Sequence, residues 1–364
     1  MKHVLVSPLS WGLGHATRDL PIIRYLLERG HRVTIAASDR ALALLEREAP
    51  ECDFERLPDY PPPYSAGKHF VPKFVAMAPA MLWAIEVESV RVRRLLRRRR
   101  FDLIVSDNRF RVRSRHVPSF VITHQLRFMT PPGLEAFERL TEFFNYVYLH
   151  PFDRIIVPDA ADPVANLSGR LSHDLPYLRR SRRVYYAGPL ASVRRMDVAQ
   201  DVDLFISISG PEPPRTQLER TILRKVRQIE GDRIVVALGK PEVKETRHID
   251  GRVEVHGFLD RARQQEMLNR ARFVVCRSGY TTVMELAELG RKALFIPTPG
   301  QTEQVYLGRY YEERGYFHTV DQYELDLAPD IEAAKAYTGP PFANDTRANV
   351  ERLYADLFAP VLDA

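Results

Sequence analysis

At 364 residues, with a formal net charge of +6, the chain is long enough for two α/β domains that each bury a core. Its two cysteines, Cys52 and Cys276, lie in different halves, which argues against a disulfide framework or a metal knuckle. No run of about 18 apolar residues occurs, so no membrane-spanning helix is expected, and the positive charge favours an anionic partner such as a nucleotide or a phospholipid surface.

The opening residues MKHVLVSPLSWGLGH pass from a strand pattern straight into a glycine turn, without the apolar segment of a signal peptide; a cytoplasmic location is expected. KHVLVSP reads as a strand, ATRDLPIIRYLLERG as a helix, HRVTIAAS as a strand and RALALLEREA as a helix. A proline-rich loop, DYPPPYSAGKH, leads to a long helical region ending in RVRRLLRRRR, Arg91 to Arg100. That basic run reads either as a solvated helix end or as a patch for an anionic membrane. The strands FDLIVSD and SFVITH follow, then a helix from about Leu134 to Tyr148 and the strand RIIVPD. This alternation predicts a doubly wound parallel sheet.

The second half repeats the architecture without a sequence period. DLFISISG, RIVVALG, VEVHGF, FVVC and ALFIP read as strands; TQLERTILRKVRQIEG, RARQQEMLNRA and TTVMELAELG read as the helices between them. The expected divisions are a domain at 1–192, a second at 193–343, and a C-terminal segment at 344–364, helical from about Asn344, that packs back on the first domain.

Three constellations carry chemistry. SWGLGHATR places Gly12, Gly14 and His15 at a strand-to-helix turn, where glycines admit a ligand and the helix start favours an anion. The G-x-G-H spacing is not the dinucleotide G-x-G-x-x-G, which demotes a dehydrogenase. Asp107 ends one strand, and His124 and Gln125 end the next, so all three are candidates for the same sheet edge as His15. A carboxylate beside an imidazole fixes its tautomer, which suits a general base. Each of these residues also has a plain reading as a turn cap or a strand-end group. In the third, RSGYTTVMELAELG, Thr282 and Glu285 have the spacing of a capping box, although Glu285 could instead hold a ribose.

Together these motifs resemble the GT-B glycosyltransferases, most closely family 28, which includes the N-acetylglucosaminyltransferase of peptidoglycan precursor synthesis. The resemblance lies in VVCRSGYTTVMELAELGRKALFIPTPGQTEQ, GLGHATRDLPIIRYLLERGHRVT, VEVHGFLDRARQQEMLNRA and YYAGP. It implies an α/β GT-B fold, two Rossmann-like doubly wound domains facing a cleft, with the first binding acceptor and the second binding a nucleotide-sugar. It implies donor contacts from Gly14, Phe258, Arg277, Ser278, Gly279, Tyr280, Thr281, Glu285, Glu303 and Gln304, catalysis by His15 with Asp107, and acceptor-side roles for His124 and Gln125.

The expected activity is an inverting, metal-independent transfer from a UDP-sugar co-substrate to a lipid-linked or glycan acceptor, with no further cofactor and no nucleic-acid partner. Peripheral attachment to the inner face of an anionic membrane would run through Arg91 to Arg100. The run Gly12-Leu-Gly-His15-Ala-Thr-Arg18 also resembles the UDP-sugar hydrolases of pseudaminic acid synthesis, which is the second reading; a non-catalytic nucleotide-sugar-binding protein is the third. The sequence departs from family 28 at SISGPEPP, Ser207 to Pro214, where a glycine-rich phosphate loop is usual, and at Lys292. The glycine turn is also poorer in glycine than that of the peptidoglycan enzyme, which points to another acceptor.

Overall fold

Short apolar, β-branched runs, inaccessible on both faces, form the central strands of two seven-stranded sheets in this computed structural model, which describes residues 1–61, 70–130, 133–178 and 181–364. Most of the expected proline-rich loop lies outside the described residues. The described residues up to Ser192, together with Asp345–Ala364, form one compact unit; Val193–Asn344 form the other.

In the first unit the strands are β1 (His3–Pro8), β2 (Arg32–Ala37), β3 (Asp53–Arg56), β4 (Leu103–Asp107), β5 (Ser119–Ile122), β6 (Arg154–Val157) and β7 (Val184–Tyr186). They lie in the order β3-β2-β1-β4-β5-β6-β7, each pair parallel. Strand order reverses between β1 and β4, so the carboxyl ends of these two strands mark the topological switch point where such sheets bind ligands. Four helices connect the strands: α1 (Leu13–Glu28), α2 (Asp39–Glu48), α3 (Phe70–Arg98) and α4 (Ala136–Leu149).

The second unit holds β8 (Val202–Ser207), β9 (Ile234–Ala237), β10 (Thr246–Ile249), β11 (Val253–His256), β12 (Ala271–Cys276), β13 (Ala293–Phe295) and β14 (His318–Thr319). Their order is β10-β11-β9-β8-β12-β13-β14, parallel except for the β10–β11 pair. Helices α5 (Pro214–Lys225), α6 (Arg261–Arg270), α7 (Tyr280–Leu289), α8 (Thr302–Glu313) and α9 (Leu327–Lys335) fill the connections. The strands that sequence reading passes over, β3, β10 and β14, are short, polar edge strands that are at most partly buried, so they carry little apolar signal.

The C-terminal segment is α10 (Thr346–Leu353), a π-helical turn at Tyr354–Phe358, and α11 (Ala359–Leu362), rather than one helix from Asn344. Its start is set by Asp345, whose carboxylate accepts from the Ala348 N–H at 3.0 Å. Val350, Leu353, Tyr354, Leu357, Phe358 and Leu362 share one core with Val4, Leu20 and Ile23. The ring of Phe358 stacks on Phe120, and Tyr354 Oη meets His31 Nε2 at 2.8 Å. Asn349 donates to the Pro189 carbonyl so close to Gly188 that a Cβ there would meet its side chain at 2.4 Å, and Gly188 has φ 84°. Only glycine fits that crossing.

Phe358→Ala should therefore lower the unfolding free energy of the first unit by about 3–5 kcal/mol, as for other buried aromatic truncations. Urea denaturation followed by tryptophan fluorescence checks this. A loss below about 1 kcal/mol, the range of surface changes, would mean the segment does not belong to that core.

Candidate active site

Beyond Pro8 the chain turns toward α1, and the turn is pinned from both sides. The Ser10 N–H donates to Asp59 Oδ2 at 2.7 Å, and Trp11 Nε1–H donates to the Tyr60 carbonyl at 2.8 Å. Beneath it the buried Arg109 donates to the carbonyls of Pro8 and Pro58 and to Glu88 Oε1, each at 2.9 Å, while Tyr60 Oη–H donates to Glu88 Oε2. Burial pushes the Glu88 carboxyl up, against the pull of Arg109 and Tyr60. Gly12, the N-cap of α1, is exposed with φ −171°, and a Cβ there would meet nothing within 4 Å. Neither its backbone nor its protein neighbours require glycine, so the turn faces open space.

Leu13, Gly14 and His15 form the first turn of α1, and His15 and Arg18 fall on one face at i, i+3. Asp107 is the last residue of β4 and pairs in register with Pro8 of β1 and Ile122 of β5; His124 lies two residues past β5. His15, Arg18, Asp107 and His124 thus converge at the switch point. His15 Nδ1 lies 2.9 Å from Asp107 Oδ1. Arg18 donates from Nε to Asp107 Oδ2 at 2.6 Å, from Nη2 to Oδ1, and from Nη1 to His124 Nδ1 at 2.9 Å. Arg18 Nη2 also lies 2.9 Å from His15 Nδ1. Because Nη2 already has Asp107 Oδ1 as acceptor, a proton on His15 Nδ1 serves the carboxylate and leaves Nε2 with its lone pair. Accepting from Arg18 requires an unprotonated Nδ1 on His124, which puts its proton on Nε2.

Asp107 is wholly buried. Burial pushes its carboxyl up, but Arg18 and His15, by charge and hydrogen bonds, outweigh this and hold it well below the usual carboxylate range. Gln125 is fixed through its backbone: its N–H donates to Thr123 Oγ1 and its carbonyl accepts from Asn145 Nδ2, both at 3.0 Å. Arg18 is the member that sequence reading left without a role. Its signal was the three-residue spacing from His15, which on a helix gives one face.

In the second unit, the segment after β12 is stapled to its neighbours. Arg277 is buried; it donates from Nε to the Ser209 carbonyl at 3.1 Å, from Nη1 to the carbonyls of Ile296 and Pro297 at 3.0 and 3.1 Å, and from Nη2 to Gln322 Oε1 at 2.8 Å. Burial lowers its pKa to about 10, so it stays charged at neutral pH. The guanidinium is occupied by protein acceptors, so Arg277 holds the loops around it from beneath. Ser278 Oγ–H donates to the Gln304 carbonyl at 2.8 Å, and Gln304 Oε1 accepts from the Thr298 N–H at 2.8 Å. The Ser278 and Tyr280 side chains are buried; Gly279, Thr281, Glu285 and Glu303 are half-buried at the same sheet edge. Phe258, just past β11, is 43% exposed, an apolar face open to a flat ring.

The structure decides one alternative that spacing left open. The N-cap of α7 is Gly279, which makes Thr282 the third helical residue and puts Glu285 beyond the first turn. The capping box is therefore not formed. The carboxylates of Asp201-Val-Asp203 are engaged by arginines: Asp201 by Arg233 and Arg270, at 2.7 and 2.6 Å, and Asp203 by Arg272 at 2.6 Å.

Residues 215–347 match the glycosyltransferase family 28 C-terminal domain. A UDP-N-acetylglucosamine–N-acetylmuramyl-(pentapeptide) pyrophosphoryl-undecaprenol N-acetylglucosamine transferase of Haemophilus influenzae (strain PittEE) is 31% identical over 150 residues, 39% of this chain and 41% of that relative. The chain thus matches about two-fifths of that relative's length. Among solved structures, the glycotransferase of kitacinnamycin superposes with a TM-score of 0.63 at 16% identity, over 98% of this chain and 95% of that one. The spinosyn rhamnosyltransferase SpnG, solved with thymidine diphosphate, gives 0.60 at 14% identity, over 99% and 96%. The fold is GT-B, and residues 215–347 are similar to a family 28 C-terminal domain. In this GT-B chain the family match covers Arg277 with its acceptors Ile296, Pro297 and Gln322, α7 and the β13–α8 loop, while Ser209 lies before it.

Removing the guanidinium should unseat those loops. Arg277→Met leaves four acceptors unpaired and should cost about 3 kcal/mol or more in urea denaturation, with Arg277→Lys recovering only part. Parental stability in Arg277→Met would show that the loops do not depend on it.

Proposed function

We propose that this chain is an inverting, metal-independent glycosyltransferase that uses a UDP-sugar and holds its acceptor on the first unit. The match of residues 215–347 to a family 28 C-terminal domain carries this reading, and the Haemophilus relative, by its name, takes UDP-N-acetylglucosamine. In the second unit the amino end of α7 meets the diphosphate with its positive dipole, Glu285 holds the ribose, Phe258 covers the base, and Glu303 and Gln304 reach the sugar. In the first unit His15 Nε2 takes the acceptor proton as its oxygen attacks the anomeric carbon. Asp107 holds the Nδ1–H and stabilises the imidazolium that forms. The diphosphate leaves with the electron pair of the broken bond, its charge met by the helix end in place of a metal.

An apolar surface supports a membrane-bound acceptor. Helix α4 is polar inside and apolar outside: Glu142 accepts from Arg127 and Asn145 donates to Gln125, while Phe137, Leu140, Phe143 and Val147 face solvent, Leu140 at 61% exposure. On α3, Trp83 is 71% exposed and Arg91, Arg93, Arg94, Arg97 and Arg98 are exposed beyond it. Apolar rings together with arginines suit an anionic lipid surface. Among the described residues no helix is long and apolar enough to cross a membrane.

Arg18 is the observation that favours the hydrolase as a second reading, since it stands at the arginine position of the G-x-G-H-x-x-R run and anchors Asp107. Rapid stoichiometric release of UDP and free sugar without acceptor would select that reading.

Three results test the main one. In a thermal-shift panel, UDP compounds at 100 times their dissociation constant should add about 2.7 kcal/mol of stability; a response to GDP, ADP or thymidine diphosphate alone would refute the UDP assignment. Glu285→Ala should weaken donor binding by roughly 1.5–3 kcal/mol with turnover partly kept, whereas His15→Ala should keep affinity while turnover falls by about 10²- to 10⁴-fold. Asp107→Asn should lose less, in the same direction as His15→Ala. Near-parental turnover in His15→Ala would remove it from the chemistry. The protein should also sediment with anionic vesicles at low salt and be released as salt rises, with about 1 kcal/mol screened per surface arginine; equal binding to neutral vesicles would exclude the electrostatic surface.

A further inference from the structure

Next to Arg18 on α1 lies a carboxyl group with no role in the scheme above. Asp19 is fully buried, and neither of its oxygens receives a hydrogen bond from a donor among the described residues. A buried carboxylate without donors is costly, and such groups keep their proton instead. Two carboxyl groups share a hydrogen bond only when one of them is protonated, and Asp107, by charge and by a side-chain hydrogen bond, is among the groups that raise the Asp19 carboxyl. Asp107 has room for it. A carboxylate offers about four acceptor positions, and His15 Nδ1, Arg18 Nε and Arg18 Nη2 occupy three donors' worth of them.

Burial and the Asp107 charge act on Asp19 in the same direction. Burial pushes the Asp19 carboxyl well above its ordinary range, and the negative Asp107 adds to that, against the opposing pull of Arg18. Asp107 shifts the other way. The two carboxyls thus shift apart, and their titrations are linked. The charged and titratable groups facing this pair are Arg18 and His15 from α1, with His124 beyond β5 on the far side of Arg18.

We propose that Asp19 is a positioning residue, held as the neutral acid, whose hydroxyl donates to Asp107 and completes the set of donors that fixes this carboxylate against His15. An ionised Asp19 would put a second negative charge beside one arginine and leave Asp107 short of a donor. Its effect on turnover rests on the glycosyltransferase reading; its protonation does not.

The native state keeps a proton on Asp19 that the unfolded chain releases above about pH 4, so Asp19 costs stability as pH rises from there toward its native pKa. Asp19→Asn keeps a donor for Asp107 and has no proton to lose. It should melt above the parent at pH 7, with the gain fading as pH falls toward about 4.

The deciding experiment is an infrared difference spectrum in D₂O at neutral pD, parent minus Asp19→Asn. A protonated-carboxyl carbonyl band present in the parent and absent in the variant is expected; a difference confined to carboxylate bands overturns the proposal. Should the variant fail to fold, carboxyl-carbon NMR titration of the aspartate-labelled parent reads the same proton, and no aspartate protonated at neutral pH is the contrary result. A lower melting point of Asp19→Asn at pH 7 would also contradict it, since that is the behaviour of an ion-paired carboxylate. For positioning, Asp19→Ala should lower turnover about 10- to 100-fold at unchanged donor affinity, as expected for a displaced catalytic group, with Asp19→Asn restoring most of the loss. Parental turnover in Asp19→Ala would end the positioning role. Absence of sugar transfer by the parent would instead refute the proposed function, leaving the infrared result to stand alone.

Discussion

The ion pair between Arg18 and Asp107 is the constraint on which the first unit's site is built. Neither charge reaches water, so each requires the other, and removing one would strand the other in the core. The pair can form because β1 and β4 are neighbours whose connections leave in opposite directions, which brings the start of α1 over the end of β4. Once Arg18 is fixed by two bonds to Asp107, its third nitrogen orients His124, and the carboxylate has a defined edge for His15. The half-buried His15 is thus held from beneath by groups that cannot move independently.

The second unit uses a buried arginine for a different purpose. Arg277 has no carboxylate partner among its hydrogen bonds and spends its donors on three backbone carbonyls and an amide oxygen. It thereby ties the loops after β8, β12 and β13 into one surface. Ser278 and Gln304 extend the same staple. A guanidinium suits this task because its planar fork can reach several acceptors at fixed angles, which an ammonium cannot. The presence of only one glycine in the loop after β8 becomes understandable: Ser209 is held by Arg277, and Gly210, with φ 112°, takes the one backbone conformation there that excludes side chains.

The alternation of buried runs such as VLVSP, LIVSD and FVVC with helical periods was enough to read the parallel core strands of both sheets, because strands covered on both faces have no choice but to be apolar. The edge strands escaped that signal. At the site, the proximity of His15 and Asp107 was legible as two strand-end positions. The dependence on Arg18 and Arg109 was not: a charged residue in an amphipathic sequence reads as surface, and nothing local says that its partner lies some ninety residues away. The capping-box pattern misled for a related reason. Thr282 has the right neighbours for an N-cap, but the helix begins at Tyr280 because the turn before it is stapled to the first turn of α8. Tertiary contacts set the boundary.

The proposed role of His15 as a base requires that its Nδ1 proton face Asp107, since only then does Nε2 carry a lone pair. Long-range proton–nitrogen NMR of the histidine-labelled protein at neutral pH, with the His15 signals assigned from His15→Gln, reads that tautomer directly. The account predicts a protonated Nδ1 and an unprotonated Nε2. A protonated Nε2, with Nδ1 accepting from Arg18, would contradict it and leave His15 unable to act as the base.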